Sequence, residues 1–327
     1  MRTRDAASEA VRNVISGVSH AVLLVLAIAV VAGVAMWVDL SAVAKVIDQA
    51  EAFRTMGAST WIVTLEDGID ADRCDSLTSV GGVTAAGAMR VDPEGTRFSA
   101  LPSLSVDTYT ATPGFAKLLG VQPANGDVWL SERLAADLGG TSPRWLSTTD
   151  GMIFSSGSFA YPSDGRVPLL EYSRVNLSPT QHVFSSCWIS IWPSSPSLAS
   201  TLRTAPLRDG APTSEVQLTQ LNSTAGTTIN PASDFTSRPT AAAGLAAGLV
   251  AGLIALAVGY LRRLEYASAR HVGMTRTAST AIAAIEAAIW MLPLTLIMLA
   301  AINAMTASAS PTGHAALWEA GLRIASP

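Results

Sequence analysis

The sequence predicts a membrane α-helical protein with three transmembrane helices and a large extracytoplasmic α+β domain inserted between the first and second. Three observations predict it. Only 14% of the 327 residues are charged, against roughly 25% in soluble domains. Three apolar runs hold most of the hydrophobic excess: Ala21 to Val38 and Ala241 to Leu261, both free of charge, and Ala281 to Met305, with one acid, Glu286. Each is close to the ~20 residues a helix needs to cross a ~30 Å hydrocarbon core. The stretch between the first two runs is instead polar, rich in turn residues and punctuated by short β-prone segments.

Residues 1–20 alternate charged and apolar positions, with Ala6, Ala7, Ala10, Val11, Val14 and Ile15 set against Arg4, Asp5, Glu9 and Arg12. That stripe suits a cytoplasmic amphipathic helix on the inner membrane surface, or a helical lead-in to the first span. Residues 21–40 form span 1. A cleaved signal peptide is the competing reading. The run is long for one and passes without a break into a polar helical stalk, Ser41 to Met56, so an uncleaved anchor is expected.

Within the domain 41–238, Ser59 to Leu65 reads as a strand and Asp70 to Val80 as a short helix. Gly82 to Val91 is a strand and Phe98 to Thr110 is extended. Pro113 to Leu119 is a helix with Pro113 in its first turn. Val128 to Leu130 is a strand, after which Ser131 caps a helix running to Leu138 and stopped by Gly139 and Gly140. Met152 to Tyr172 reads as short strands, and Ser185 to Trp192 alternates as a strand should. Pro196 to Thr204 is a helix and Glu215 to Leu221 a strand. Asn222 to Thr240 is a polar linker holding Pro231 and Pro239. Span 2 follows at 239–261, a basic link at 262–280, span 3 at 281–305 with Pro293 expected to kink it, and a tail at 306–327.

Orientation follows from basic residues beside the membrane. The N-terminal tail and the link together carry seven basic and three acidic side chains, whereas Asp39 to Arg238 carries 13 basic and 20 acidic. Tail and link are therefore expected in the cytoplasm and the large domain outside. The acidic balance gives no reason to expect nucleic-acid binding. Both cysteines, Cys74 and Cys187, fall in the outside domain, where an oxidising compartment permits a disulfide. Two isolated cysteines leave its geometry open.

No catalytic chemistry stands out. The phosphate-cradling glycine loop with Lys and Ser/Thr is missing, and the chain has only two lysines, Lys45 and Lys117. His182 is the one histidine of the outside domain, and no nucleophile elbow accompanies it. Asp70, Asp72 and Asp75 lack the glycine and distal Glu of a calcium loop and suit a helix N-terminus better. No metal or cofactor is expected in this chain. The spans say more. Gly244, Gly248 and Gly252 repeat every four residues, a helix-packing stripe that permits close approach in lipid, although an alanine-rich composition also yields small residues. Glu286, near the inner end of span 3, suits a carboxylate held by the link arginines better than a buried proton relay.

The link itself, RRLEYASARHVGMTR over 262–276, resembles the signature between the second and third spans of MacB/FtsX-type (type VII) ABC transporter permeases. Arg263, Glu265, Arg270, Gly273 and Arg276 fall on that pattern, and Glu286 follows where the family often has an acid. The entry Glu9-Ala10-Val11-Arg12-Asn13 resembles the family's approach to its first span. In the outside domain the resemblance extends over Met56-Gly57-Ala58 with the strand Trp61 to Thr64. It continues over Thr112-Pro113-Gly114-Phe115 with Leu119-Gly120, and over Trp129 to Ala135. Such permeases usually have four spans. Here Thr306 to Pro327 is too short and polar to cross. It suits an amphipathic segment (Leu317, Trp318, Leu322, Ile324) on the outer surface, leaving the C-terminus outside.

The resemblance implies a non-enzymatic permease subunit of a bacterial cytoplasmic membrane. It would pair with a cytoplasmic ABC ATPase, which binds the ATP and Mg, and with a second permease subunit, as homo- or heterodimer, in membrane lipid. Arg262, Arg263, Glu265, Arg270, Gly273 and Arg276 would couple the ATPase to the spans, and the stalks would transmit motion outward. The function implied is export or extraction of a peptide, antibiotic or lipid-linked substrate. The alternative is an FtsX-like signalling subunit that controls a cell-wall hydrolase or senses a peptide. A membrane-anchored enzyme is disfavoured for want of a site.

Overall fold

A long helix with no glycine or proline from Ala35 to Met56 has no reason to stop at a membrane boundary. In the computed structural model, which describes residues 3–17, 20–122, 128–140, 144–178 and 183–306, α2 runs unbroken over Ala21–Thr55. At 1.5 Å per residue it is about 52 Å long, well beyond a ~30 Å hydrocarbon core. Gly57, at φ +77°, stops it: its N–H reaches Arg54 O and the Ala58 N–H reaches Phe53 O, so left-handed glycine closes the last turn. His182 and the tail 307–327, with its expected amphipathic segment, lie outside the described residues.

The chain divides into two units. The first holds the residues up to Gln49 and from Pro231 onward. It contains α1 (Thr3–Ile15), most of α2, α7 (Pro231–Thr236), α8 (Ala243–Leu261), α9 (Arg263–His271) and α10 (Arg276–Thr306). Three of its helical stretches, Val22–Thr55, Pro231–Leu261 and Arg276–Ala304, are long and apolar enough to cross a membrane. Their mutual core joins Leu24, Ile28, Met36, Leu40 and Val43 of α2 to Leu294, Met298 and Ile302 of α10. From α8, the ridge Ala243, Ala247, Ala251, Ile254 and Val258 packs in at helical spacing. The α10 helix continues through Pro293.

The second unit, Ala50–Asn230, is built on one nine-stranded sheet of order β5-β6-β4-β7-β3-β2-β8-β1-β9. Its strands are β1 (Thr60–Asp70), β2 (Val83–Phe98), β3 (Leu101–Ala111), β4 (Val128–Ser131), β5 (Arg144–Ser147), β6 (Ile153–Phe159), β7 (Ser173–Leu177), β8 (Val183–Ile191) and β9 (Gln217–Gln220). Pairing is antiparallel except β3–β7 and β4–β6. Strand β8 runs between β1 and β2 and is buried on both faces. Cys187, Ile189 and Ile191 enter one core, with Val63, Ile69, Ala86, Ala88, Ala199 and Leu202. Trp188 enters the other, with Ile62, Met89, Phe115, Trp129 and Val175. A third core, around Phe98, Val106, Leu130 and Leu134, fills the β4–β6 end.

Short helices brace this sheet. Asp70 accepts from Arg73 N at 2.9 Å and caps α3 (Ala71–Ser76), whose Cys74 is disulfide-bonded to Cys187 in β8 with Cα atoms 5.9 Å apart. Asp75 accepts from Thr112 Oγ1 at 2.5 Å and from Gly114 N at 3.2 Å, fastening the turn before α4 (Phe115–Leu119). Burial lifts its carboxyl above the ordinary range, against the pull of those two donors. Ser131 caps α5 (Glu132–Asp137), which ends at Gly139 and Gly140, and Ser195 caps α6 (Pro196–Leu202).

Four local expectations change. The strand expected over Gly82 to Val91 runs on to Phe98 through Pro93 and Gly95, with the register against β3 shifting between Asp92 and Thr96. A bulge lets a strand carry an unpaired proline. Strand β5 is only four residues, too short for a periodic signal. Strand β7 hides behind Arg174, which is buried: its Nη1 donates to Thr96 Oγ1 at 2.7 Å and its guanidinium lies 4.6 Å from the Phe154 ring centroid. The polar linker after Asn222 contains α7 and a 3-10 turn, Pro239–Ala242, because each proline opens a helical turn where its missing N–H costs nothing.

Candidate functional site

The link is a helix, α9, set between α8 and α10, and a carboxylate locks it. Arg262 is at the junction of α8 and α9 and is buried. Its Nη1 donates to Glu286 Oε2 at 2.7 Å and its Nε to Glu265 Oε2 at 3.0 Å, while its guanidinium lies 5.2 Å from the Tyr266 ring centroid. Burial works against the Arg262 charge; the bonds to Glu286 and Glu265 outweigh it and hold the pKa above the ordinary arginine range. Glu286 is only 4% exposed. Its second oxygen, Oε1, accepts from Asn13 Nδ2 of α1 at 2.7 Å. Three segments remote in sequence therefore meet on one carboxylate.

The other candidate coupling residues of the link are exposed. Arg263 lies with its guanidinium 4.1 Å from the Tyr260 ring centroid. Arg270, in the last turn of α9, is exposed, where a cation suits the helix C-terminus. Gly273, at φ +98°, turns the chain in open space between α9 and α10. Arg276 is the first residue of α10 and exposed. Leu264 and Val272 are 74% and 90% exposed, an apolar surface beside these arginines.

Helix α1 does not run on into α2: Gly17 at φ +77° ends it. Nor does its apolar stripe face only lipid. Ala6 and Ala10 are buried against Ile282, with Met274, Ile285 and Ile289 alongside, all on or next to α10. Val11 and Ile15 stay 45% and 82% exposed on another side of the helix.

At the other end of the same unit, Asp39 and Arg238 form a bidentate ion pair, Nε–Oδ1 2.8 Å and Nη2–Oδ2 3.1 Å, with both side chains at most 5% exposed. Arg238 also donates Nη1 to Phe235 O at 2.6 Å and lies 4.2 Å from the Phe235 ring centroid. The sequence holds a signal for this pair: opposite charges adjoin the outer ends of the first two apolar runs. The pair borders a groove of about 750 Å³ lined by α2, α8 and α10. Gly244, Gly248 and Gly252 line this groove on the flank of the buried α8 ridge, and a Cβ on Gly252 would meet nothing. Gly244 and Gly248 are half-buried and Gly252 is exposed.

No group of three or more potential metal-ligating side chains occurs among the described residues. No family model and no curated protein matches the sequence. Among solved structures, the chain is similar to the periplasmic region of MacB from Actinobacillus actinomycetemcomitans. The identity is 10%, covering 53% of this chain and 94% of that one, with a TM-score of 0.36. It is also similar to the extracellular domain of the noncanonic ABC-type transporter YknZ from Gram-positive bacteria, at 12% identity over 49% of this chain and 99% of that one, with a TM-score of 0.33.

Proposed function

We propose that this chain is the permease subunit of an ABC transporter of the MacB/FtsX type. It sits in a bacterial cytoplasmic membrane with α1 and α9 inside and the sheet domain outside. A separate ATPase binds ATP and Mg and docks on the link, and a second permease subunit completes the assembly. The observation that carries the reading is the link itself. A short basic helix joins two apolar helices, its inward arginine is pinned to Glu286, and its outward face presents Arg270 beside Leu264 and Val272. A pinned helix transmits force; a free loop would absorb it. The substrate class, taken from the resemblance of the link to such permeases, is a peptide, antibiotic or lipid-linked molecule moved from the outer membrane face.

The test is co-purification with candidate ATPases followed by ATPase assays. Arg270→Ala should abolish most of the permease-dependent stimulation while the chain still inserts. Unchanged stimulation in Arg270→Ala and Glu265→Ala would rule out docking through the link.

A further inference from the structure

We infer that Asn13 and Glu286 are positioning residues that register the N-terminal helix on span 3, making α1 and the link one continuous docking face. The inference rests on the permease reading for its purpose, but the clasp stands on geometry alone. An ionised carboxylate only accepts, so an amide facing it must present its nitrogen, and Asn13 Nδ2 does so at 2.7 Å. The opposite oxygen is taken by Arg262. One side chain is thereby divided between the N-terminal helix and the link, across 273 residues of sequence. The hydrophobic contact below the clasp is Ala6 and Ala10 against Ile282, with Met274, Ile285 and Ile289 alongside. Apolar contact is non-directional, so the charge-assisted hydrogen bond is the more directional tie and fixes the rotation of α1. It also selects which side of α1 faces outward. With Ala6, Ala10 and Asn13 turned to α10, Val11 and Ile15 remain open, as Leu264 and Val272 do on the link. Glu286 thus positions two surfaces at once, and moving the link must move α1.

Introduced thiols report this directly, because the two native cysteines are bonded to each other. In full-length chain in membranes, Ala10→Cys with Ile282→Cys should cross-link through a short bismaleimide. Glu286→Gln and Asn13→Asp should each lower the yield about tenfold or more, the loss expected for a hydrogen bond to a charged group. Asn13→Asp does so by facing one carboxylate with another. The exchanged pair Asn13→Asp/Glu286→Gln, which restores one amide opposite one carboxylate, should recover cross-linking. Wild-type yield in both single variants, or no recovery in the exchanged pair, would overturn the clasp. With the ATPase present, its stimulation should fall in Asn13→Asp together with the cross-link; the exchanged pair is read by cross-linking alone, because Glu286→Gln also takes the carboxylate from Arg262. Stimulation retained by a variant that has lost the cross-link would overturn the positioning role. Loss of stimulation in Arg270→Ala with cross-linking intact separates docking from clasp. Non-reducing gels showing the Cys74–Cys187 bond in every variant confirm that the sheet unit has folded, and wild-type membrane insertion and thermal midpoint confirm the helical unit.

Discussion

At the scale of single residues, burial decides which charges matter. Asp39 and Arg238 are withdrawn from water almost completely and satisfy each other in two bonds. Removing one partner strands the other. Asp39→Ala should therefore destabilise the helical unit by about 3–5 kcal/mol, read as a lower thermal midpoint in detergent. The Arg73–Asp209 pair, with Asp209 92% exposed, is its counterpart in the sheet unit. Water already solvates that carboxylate, so Asp209→Ala should leave the midpoint where it is. Both pairs consist of residues plainly charged in the sequence. Only the fold distinguishes them, because desolvation depends on what packs around a group and not on its identity. Glu286 was more legible. An acid in an otherwise uncharged run, one helix beyond an arginine-rich link, calls for a cation, and Arg262 supplies it. Asn13 was not legible, since an exposed amide and a clasping amide look alike in a sequence.

At the scale of elements, local signals held where they were covalent or capping and failed where a neighbour overrode them. Gly57 and the Gly139-Gly140 pair end their helices as glycine should, and Ser131 and Asp70 cap theirs. Strand β2 is the contrary case. Its Pro93 and Gly95 argue for a turn, but the long hairpin with β3 continues past them because a bulge absorbs the mismatch. The same strand makes one demand invisible in sequence. A Cβ at Gly87 would come 2.4 Å from Phe115 N and 2.5 Å from its Cα, where α4 crosses the sheet. Backbone cannot yield as a side-chain tip can. Gly87→Ala should cost about 1–3 kcal/mol by overpacking, seen as a reduced denaturant midpoint with unchanged helix content. A wild-type midpoint would mean that α4 is free to move off the sheet.

At the scale of the molecule, the sheet unit is fastened by a bond joining positions 113 residues apart. Closing so long a loop restricts the unfolded chain heavily, so Cys74→Ala/Cys187→Ala should lose about 2–4 kcal/mol of stability. Tryptophan fluorescence during urea unfolding of the full chain measures this, since Trp188 neighbours Cys187. Equal midpoints for the oxidised and the cysteine-free chains would show that the two cores need no staple.

The sequence by itself determined three long apolar helices, a sheet-rich α+β domain, the uneven distribution of charge along the chain and most helix ends. These follow from composition and from rules acting within a few residues. Tertiary structure alone decided the strand order, the burial of β8 on both faces, the pairing of Cys74 with Cys187, and the convergence of Asn13, Arg262 and Glu286. It also decided that Gly244, Gly248 and Gly252 line a groove bounded by α2, α8 and α10. The physical reason is common to all of them. Each depends on which groups approach through space across tens or hundreds of residues, and desolvation and close packing act only once those groups have met.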